Sequence, residues 1–181
     1  MPPFVGAVAM KLLFGSNGSI NLILNDKNGA LIIISKDSEL KFYSESGEIL
    51  NAKFSKRLLL SIFNKKSPLH DGAVIIHGEK VIAARCILPV SENENLPMNF
   101  GMRHRAAYAI SEDTDALAIV ISEEHNTVSL FINGDIKIKN ATLYEFLDLT
   151  FENLGRGEIN TSSYLIKKAL HIWRFFTNYN L

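Results

Sequence analysis

Cysteine is nearly absent from this chain: Cys86 is the only one among 181 residues. An intramolecular disulfide is thereby excluded, and no Cys/His spacing of a zinc site occurs. A reducing compartment is the simpler reading. Cys86 sits in the apolar run Val81 to Leu88 and reads as a buried small hydrophobe rather than a nucleophile. Net charge is missing as well, with 19 Lys and Arg against 19 Asp and Glu. That balance argues against nucleic acid as a partner and leaves room only for a local basic patch. Internal repeats and low-complexity tracts are also lacking. So is a long apolar run. Met1 to Phe14 is apolar but falls short of the roughly 20 residues that a bilayer-spanning helix needs, and Pro2, Pro3 and Gly6 weaken it further. No charged region precedes it, which argues against a secretory signal. Residues 1–19 are therefore read as a juxtamembrane remnant, a docking helix or the edge of an excised piece.

What is present is ordinary globular composition, 47% hydrophobic and 21% charged, at a length that suits one domain with terminal additions. Ser19 to Asp26 can close one or two helical turns, which Lys27-Asn28-Gly29 then ends, with Gly29 as the C′ residue. Ala30 to Ser35 reads as a buried strand, since Ile32, Ile33 and Ile34 are all β-branched. Leu40 to Ser44 reads as a weaker strand and Ser46-Gly47 as a turn. Ser55 is a good N-cap for a helix through about Asn64. Ala73 to His77 and Lys80 to Leu88 read as two strands joined at Gly78-Glu79, and Pro89 stops the second. Arg103 to Ile110 reads as a helix opening after Gly101, and Glu112 to Asp115 as an acidic turn. Ala116 to Ile121 is a further buried strand. Val128 to Ile132 and Asp135 to Ile138 form a hairpin around Asn133-Gly134, a strong type I′ signal. Thr142 to Asn153 and Thr161 to Phe176 read as two helices. The apolar face around His171 to Phe176 reads as packing on the sheet. The fold class is α/β, a mixed central β-sheet flanked by helices. A core domain spans 20–140 and a helical extension 141–181.

Three stretches carry groups that can do chemistry. The first is Ser67-Pro68-Leu69-His70-Asp71-Gly72-Ala73-Val74-Ile75-Ile76. It places an imidazole and a carboxylate at the mouth of a buried strand, where a rigid element can hold them within chemical tolerance. The plainer reading is a turn, because Asp-Gly is a common turn dipeptide. The second is Phe100-Gly101-Met102-Arg103-His104-Arg105. Two arginines in the first turn of a helix, with its free N–H groups and positive dipole end, make an anion site for which phosphate is the natural ligand. The plainer reading there is a solvated helix face. The third is Ser122-Glu123-Glu124 at the end of a strand, where a carboxylate can serve a metal or merely close an acidic turn. Taken together they are the parts of a nucleotidyl-transfer site: cations for phosphates and acids for a divalent ion.

In this order and spacing, Asp71-Gly72-Ala73, Arg103-His104-Arg105 and Ser122-Glu123-Glu124 resemble the diadenylate cyclase domain, with its DGA and RHR motifs. The similarity takes in Gly29 to Ile33, Pro68 to Ile76, Ala83 to Ser91 and Thr114 to Leu117, and so covers roughly residues 20–138. It is closest to the single-domain type whose catalytic domain follows membrane helices. The resemblance implies a diadenylate cyclase-like fold and a nucleotidyltransferase that condenses two ATP into cyclic di-AMP, releasing two pyrophosphates. It implies a face-to-face homodimer and a divalent ion, magnesium or manganese and in some members cobalt. It also implies a cytoplasmic domain, membrane-anchored in a longer parent protein. Carried over residue by residue, Asp71 would bind metal or activate the 3′-hydroxyl, with Glu124 and His70 as further metal ligands. Gly72 and Ala73 would admit the nucleotide to the backbone. Leu88 would meet adenine through its main chain. Gly101, Met102, Arg103, His104 and Arg105 would line the phosphates, and Ser122 would touch one. Met102 departs from the family, which usually has threonine there. The lost hydroxyl removes a hydrogen bond worth roughly 1.5–3 kcal/mol, and a nucleotide receptor with weakened catalysis is the alternative it raises. A structural or interaction domain that binds no nucleotide is the third reading, and it rests only on the plainer readings of the three stretches.

Overall fold

The computed structural model describes residues 18–36, 39–142 and 145. The expected helices over 142–153 and 161–176, and nearly all of segment 1–19, lie outside these residues. At the edge of that region Thr142 and Glu145 form a capping box. Glu145 Oε2 accepts from the Thr142 N–H at 2.8 Å, and Thr142 Oγ1 accepts from the Glu145 N–H at 3.4 Å.

The described chain runs α1 (Ser19–Asn25), β1 (Ala30–Ser35), α2 (Lys41–Ser44), β2 (Glu48–Lys53), α3 (Lys56–Ile62), β3 (Ala73–His77), β4 (Lys80–Cys86), α4 (Met102–Asp113), β5 (Leu117–Ser122), β6 (Thr127–Ile132) and β7 (Asp135–Ala141). The strands form one seven-stranded sheet in the order β2-β4-β3-β1-β5-β6-β7. Only β1 and β3 pair in parallel; the other neighbours are antiparallel. This is the mixed, helix-flanked sheet expected from the sequence.

The continuous apolar runs at the centre follow from burial on both faces. Side chains alternate along each strand. Ile32, Ile34, Val74 and Ile76 pack with Ile20, Ile23, Leu59 and Phe63 beneath α1 and α3. Leu31, Ile33, Ala73 and Ile75 pack with Phe100, Ala106, Ala107 and Ile110 beneath α4. Small residues on that second face, Ala83, Ala107 and Ala118 among them, let α4 approach the sheet closely.

Four local expectations need correction. Leu40 to Ser44 is not a strand: Leu40 lies at φ 51°, and its carbonyl accepts from the N–H groups of Tyr43 and Ser44, opening a short helix. Within the expected Lys27-Asn28-Gly29 end of α1, the C′ residue that follows the C-cap Asp26 is Lys27, at φ 52°, and not Gly29. Glu112 and Asp113 belong to the last turn of α4 rather than to a loop. The strand expected over Lys80 to Leu88 stops at Cys86, immediately after Arg85 at φ 57°. Other expectations hold. Ser55 Oγ caps α3 by accepting from the Leu58 N–H at 3.2 Å. Asn133 and Gly134, both at positive φ, join β6 to β7 with Ile132 paired to Asp135. Cys86 is free and buried, and burial pushes its thiol up to about 11.

Candidate functional site

The strand register brings the first and third chemical stretches to one end of the sheet. Leu31 on β1 pairs in parallel with Ala73 on β3. Ala30 pairs antiparallel with Ile121, and Ala73 with Cys86. Gly29, Asp71-Gly72, Ile87-Leu88 and Ser122 to Glu124 therefore leave the sheet along the same edge.

Asp71-Gly72 is a strand entrance and not a hairpin turn. Gly72 sits at φ 144°, and a Cβ there would lie 2.7 Å from Arg85 Cα and 2.7 Å from its carbonyl carbon. The close approach arises because Arg85 lies in a bulge: the register moves from Ala73↔Cys86 to Ile75↔Ala83. Ala73 is fully buried and Leu88 nearly so, so what each leaves accessible at this end of the sheet is main chain rather than side chain. Asp71 is exposed at the mouth. His70 beside it donates Nδ1–H to the Ser67 carbonyl at 2.7 Å. That bond fixes the tautomer and leaves Nε2 with a lone pair.

Gly101 caps α4 without a side-chain hydrogen bond, so the leading N–H groups of the helix face outward. Met102 is exposed there. Arg103 reaches from α4 to the sheet edge. Its guanidinium lies against Gly29, where a Cβ would collide with Nη1, and Nη1 stands 3.5 Å from Glu123 Oε1. The second Glu123 oxygen holds Lys65 Nζ at 2.9 Å. The Lys65 hydrogen bond, reinforced by both positive charges, keeps the Glu123 carboxyl below the usual carboxylate range.

Arg103, His104 and Arg105, expected to line the phosphates, point in three different directions from the helix. Consecutive helical residues point about 100° apart. His104 turns inward to 7% exposure and stacks on Phe100 with ring centroids 4.4 Å apart. Its Nε2 finds no hydrogen-bond partner within the geometric limits among the described residues. Burial, with His125 nearby, lowers its pKa to about 4 against a pull from Asn140. Arg105 turns to the loop before the helix, where Nη1 donates to the carbonyls of Ser91 at 3.2 Å and Asn93 at 3.3 Å. Arg103 is thus the motif side chain held at the sheet edge.

Ser122 Oγ accepts from the His125 N–H at 3.3 Å, and Glu124 is exposed. Among the described residues no three His, Cys, Asp or Glu side chains converge on a metal position. Asp71 and His70 nonetheless suit part of a divalent site. Such ions often take only one or two protein ligands and complete their shell with phosphate oxygens and water, and a ligating imidazole usually donates its other N–H to a carbonyl, as His70 does. Lys65 carried no role in the sequence, and neither Gly29, expected to end a helix, nor Glu123, part of the third stretch, was expected to meet Arg103. Their signal was weak, because each gains its place only when Arg103 folds onto the edge.

Residues 18–136 match the family described as "DisA bacterial checkpoint controller nucleotide-binding". The chain belongs to this diadenylate cyclase family. It is 43% identical over 140 residues to the cyclic di-AMP synthase CdaA of Bacillus subtilis, covering 76% of this chain and 51% of that protein. It is 47% identical over 108 residues to a diadenylate cyclase of Listeria monocytogenes, covering 60% and 40%. The chain thus spans about half, or less, of the length of these curated relatives. A crystal structure of a double mutant of DacA from Staphylococcus aureus matches with a TM-score of 0.70 at 34% identity, covering 81% of this chain and 97% of that one. A structure titled as a hypothetical membrane spanning protein from Bacillus cereus matches with a TM-score of 0.63 at 38% identity, covering 67% and 60%. In this chain no described helix is long and apolar enough to cross a membrane.

Proposed function

We propose that this protein is a diadenylate cyclase, condensing two ATP into cyclic di-AMP with release of two pyrophosphates. The observation that carries the reading is the placement of Asp71 and Arg103 along one edge of the sheet, beside the open N-terminus of α4. Each subunit binds one ATP, with adenine against the main chain at Leu88 and Gly72-Ala73. Arg103 and the leading N–H groups of α4 hold the phosphates, and Ser122 lends a hydroxyl. Asp71 orients the ribose 3′-hydroxyl and accepts its proton as the oxygen attacks the α-phosphate of the ATP on a facing subunit. One P–O bond forms, the bond to pyrophosphate breaks, and the reciprocal step closes the ring. His70, Asp71 and Glu124 are the residues that would hold magnesium, manganese or cobalt, which would neutralise phosphate charge. His104 and Arg105 act on α4 and its loop, keeping Arg103 in place. Residues 20–140 are the catalytic unit, 1–19 and 141–181 its flanking segments. The domain works on the cytoplasmic side, where a longer parent protein would anchor it to the membrane.

Asp71→Asn tests the acid: product formation is lost while the thermal unfolding curve is kept. Full turnover by the folded variant removes Asp71 from the chemistry. Dilution tests the facing subunits. The rate per subunit falls below the dimer dissociation constant, and a constant rate down to a demonstrated monomer contradicts the two-subunit reaction. The exposed Met102 favours a second reading, a nucleotide receptor that binds ATP but turns it over weakly. ATP binding without pyrophosphate release is its signature.

A further inference from the structure

Two groups meet Arg103 from outside its own helix, and a third braces one of them. The guanidinium rests against the bare Cα of Gly29, where an added Cβ would stand 3.0 Å from Cζ. Gly29 is not among the residues at positive φ, so its missing side chain supplies space and not backbone freedom. Glu123 Oε1 faces Nη1 at 3.5 Å. Lys65 takes the other oxygen of that carboxylate at 2.9 Å, bracing it from the far side.

We propose that Glu123 and Gly29 are positioning residues for Arg103, with Lys65 as the brace, and that together they hold the guanidinium ready for the charge that develops on the transferred phosphate. The proposal rests on the reading of this edge as an ATP site. A donor already in place costs no reorganisation at the moment of reaction, whereas a free arginine must be gathered from many rotamers. A carboxylate this close to a triphosphate also repels it. If Glu123 were only a counter-ion, its removal would tighten ATP binding and leave kcat alone. As a positioning residue its loss lowers kcat without raising KM.

The test compares five variants of the chain with the parent. Glu123→Ala lowers kcat about tenfold or more, with KM unchanged or lower. Glu123→Gln keeps the length and one acceptor oxygen and falls between. Gly29→Ala moves only the flexible end of Arg103, so it keeps the parent Tm and still lowers kcat. Arg103→Ala combined with Glu123→Ala is no slower than Arg103→Ala alone, because the two act as one unit. An unchanged kcat in Glu123→Ala, or losses that multiply in the double variant, overturns the proposal. Arginine-detected NMR of the ligand-free chain supplies a readout without turnover. A held guanidinium shows resolved, slowly rotating Nη signals in the parent and averaged ones in Glu123→Ala; identical Arg103 signals in both overturn the proposal. Should the parent make no cyclic di-AMP, the functional reading fails, and the NMR comparison still decides the positioning.

Discussion

His104 and Phe100 lie face to face, with ring centroids 4.4 Å apart and planes inclined by 17°. This stack joins the first turn of α4 to the loop before it, and it uses a histidine as an aromatic ring. With its pKa lowered to about 4 mainly by burial, His104 is neutral near pH 7. In the unfolded chain it takes up a proton near pH 6.5. Between these values the unfolded state binds more protons, so stability rises with pH across the interval. Stability is present in full above about pH 6.5, is lost as pH falls, and the loss approaches on the order of 3 kcal/mol near pH 4. Urea unfolding at pH 7 and pH 5 measures the slope. In His104→Phe, which keeps the stack and cannot titrate, that slope shrinks.

Gly72→Ala strains the backbone at φ 144° and drives a Cβ to 2.7 Å from the Arg85 main chain. The cost is about 1–3 kcal/mol for the conformation, with bulge displacement on top. Thermal unfolding shows a clear fall in Tm. A variant as stable as the parent would mean that the strand entrance relaxes freely.

Arg105→Ala removes the donor that ties Nη1 to the Ser91 and Asn93 carbonyls. The expected loss is about 1–2 kcal/mol, read by urea unfolding, with faster hydrogen exchange around residues 91–96. Arg105→Lys does not restore it, because one ammonium lacks the planar fork of a guanidinium.

Met102→Thr offers a hydroxyl at the first position of α4, where the methionine side chain is exposed. One hydrogen bond to a phosphate oxygen raises the rate of pyrophosphate release about tenfold, with little change in Tm. An unchanged rate shows that the backbone N–H groups and Arg103 suffice.

The sequence made the centre of the fold legible because physical rules act locally there. Ile32 to Ile34 and Val74 to Ile76 can only be buried strands, and Asn133-Gly134 closes a two-residue turn by its own backbone preference. The edge was harder. β2 has a mostly exposed side-chain pattern and a kink at Asn51, φ 44°, so no period survives to read. Leu40 and Tyr43 both turn toward the same core cluster, yet their spacing over so few residues also suits a strand. At the site, Asp71 and Arg103 stood out by residue type and spacing. That His104 turns inward and Arg105 turns to the loop could not be read, because it depends on which face of α4 meets the sheet. That Glu123 and Gly29 meet the Arg103 guanidinium became visible only in the folded chain.

The most direct measurement is one incubation of the purified chain with ATP and Mn²⁺, followed by mass identification of the products. The account predicts cyclic di-AMP and pyrophosphate, two pyrophosphates for each cyclic dinucleotide, and none of either from Asp71→Asn. Unchanged ATP from a folded, dimeric chain, or a different nucleotide product, would contradict it.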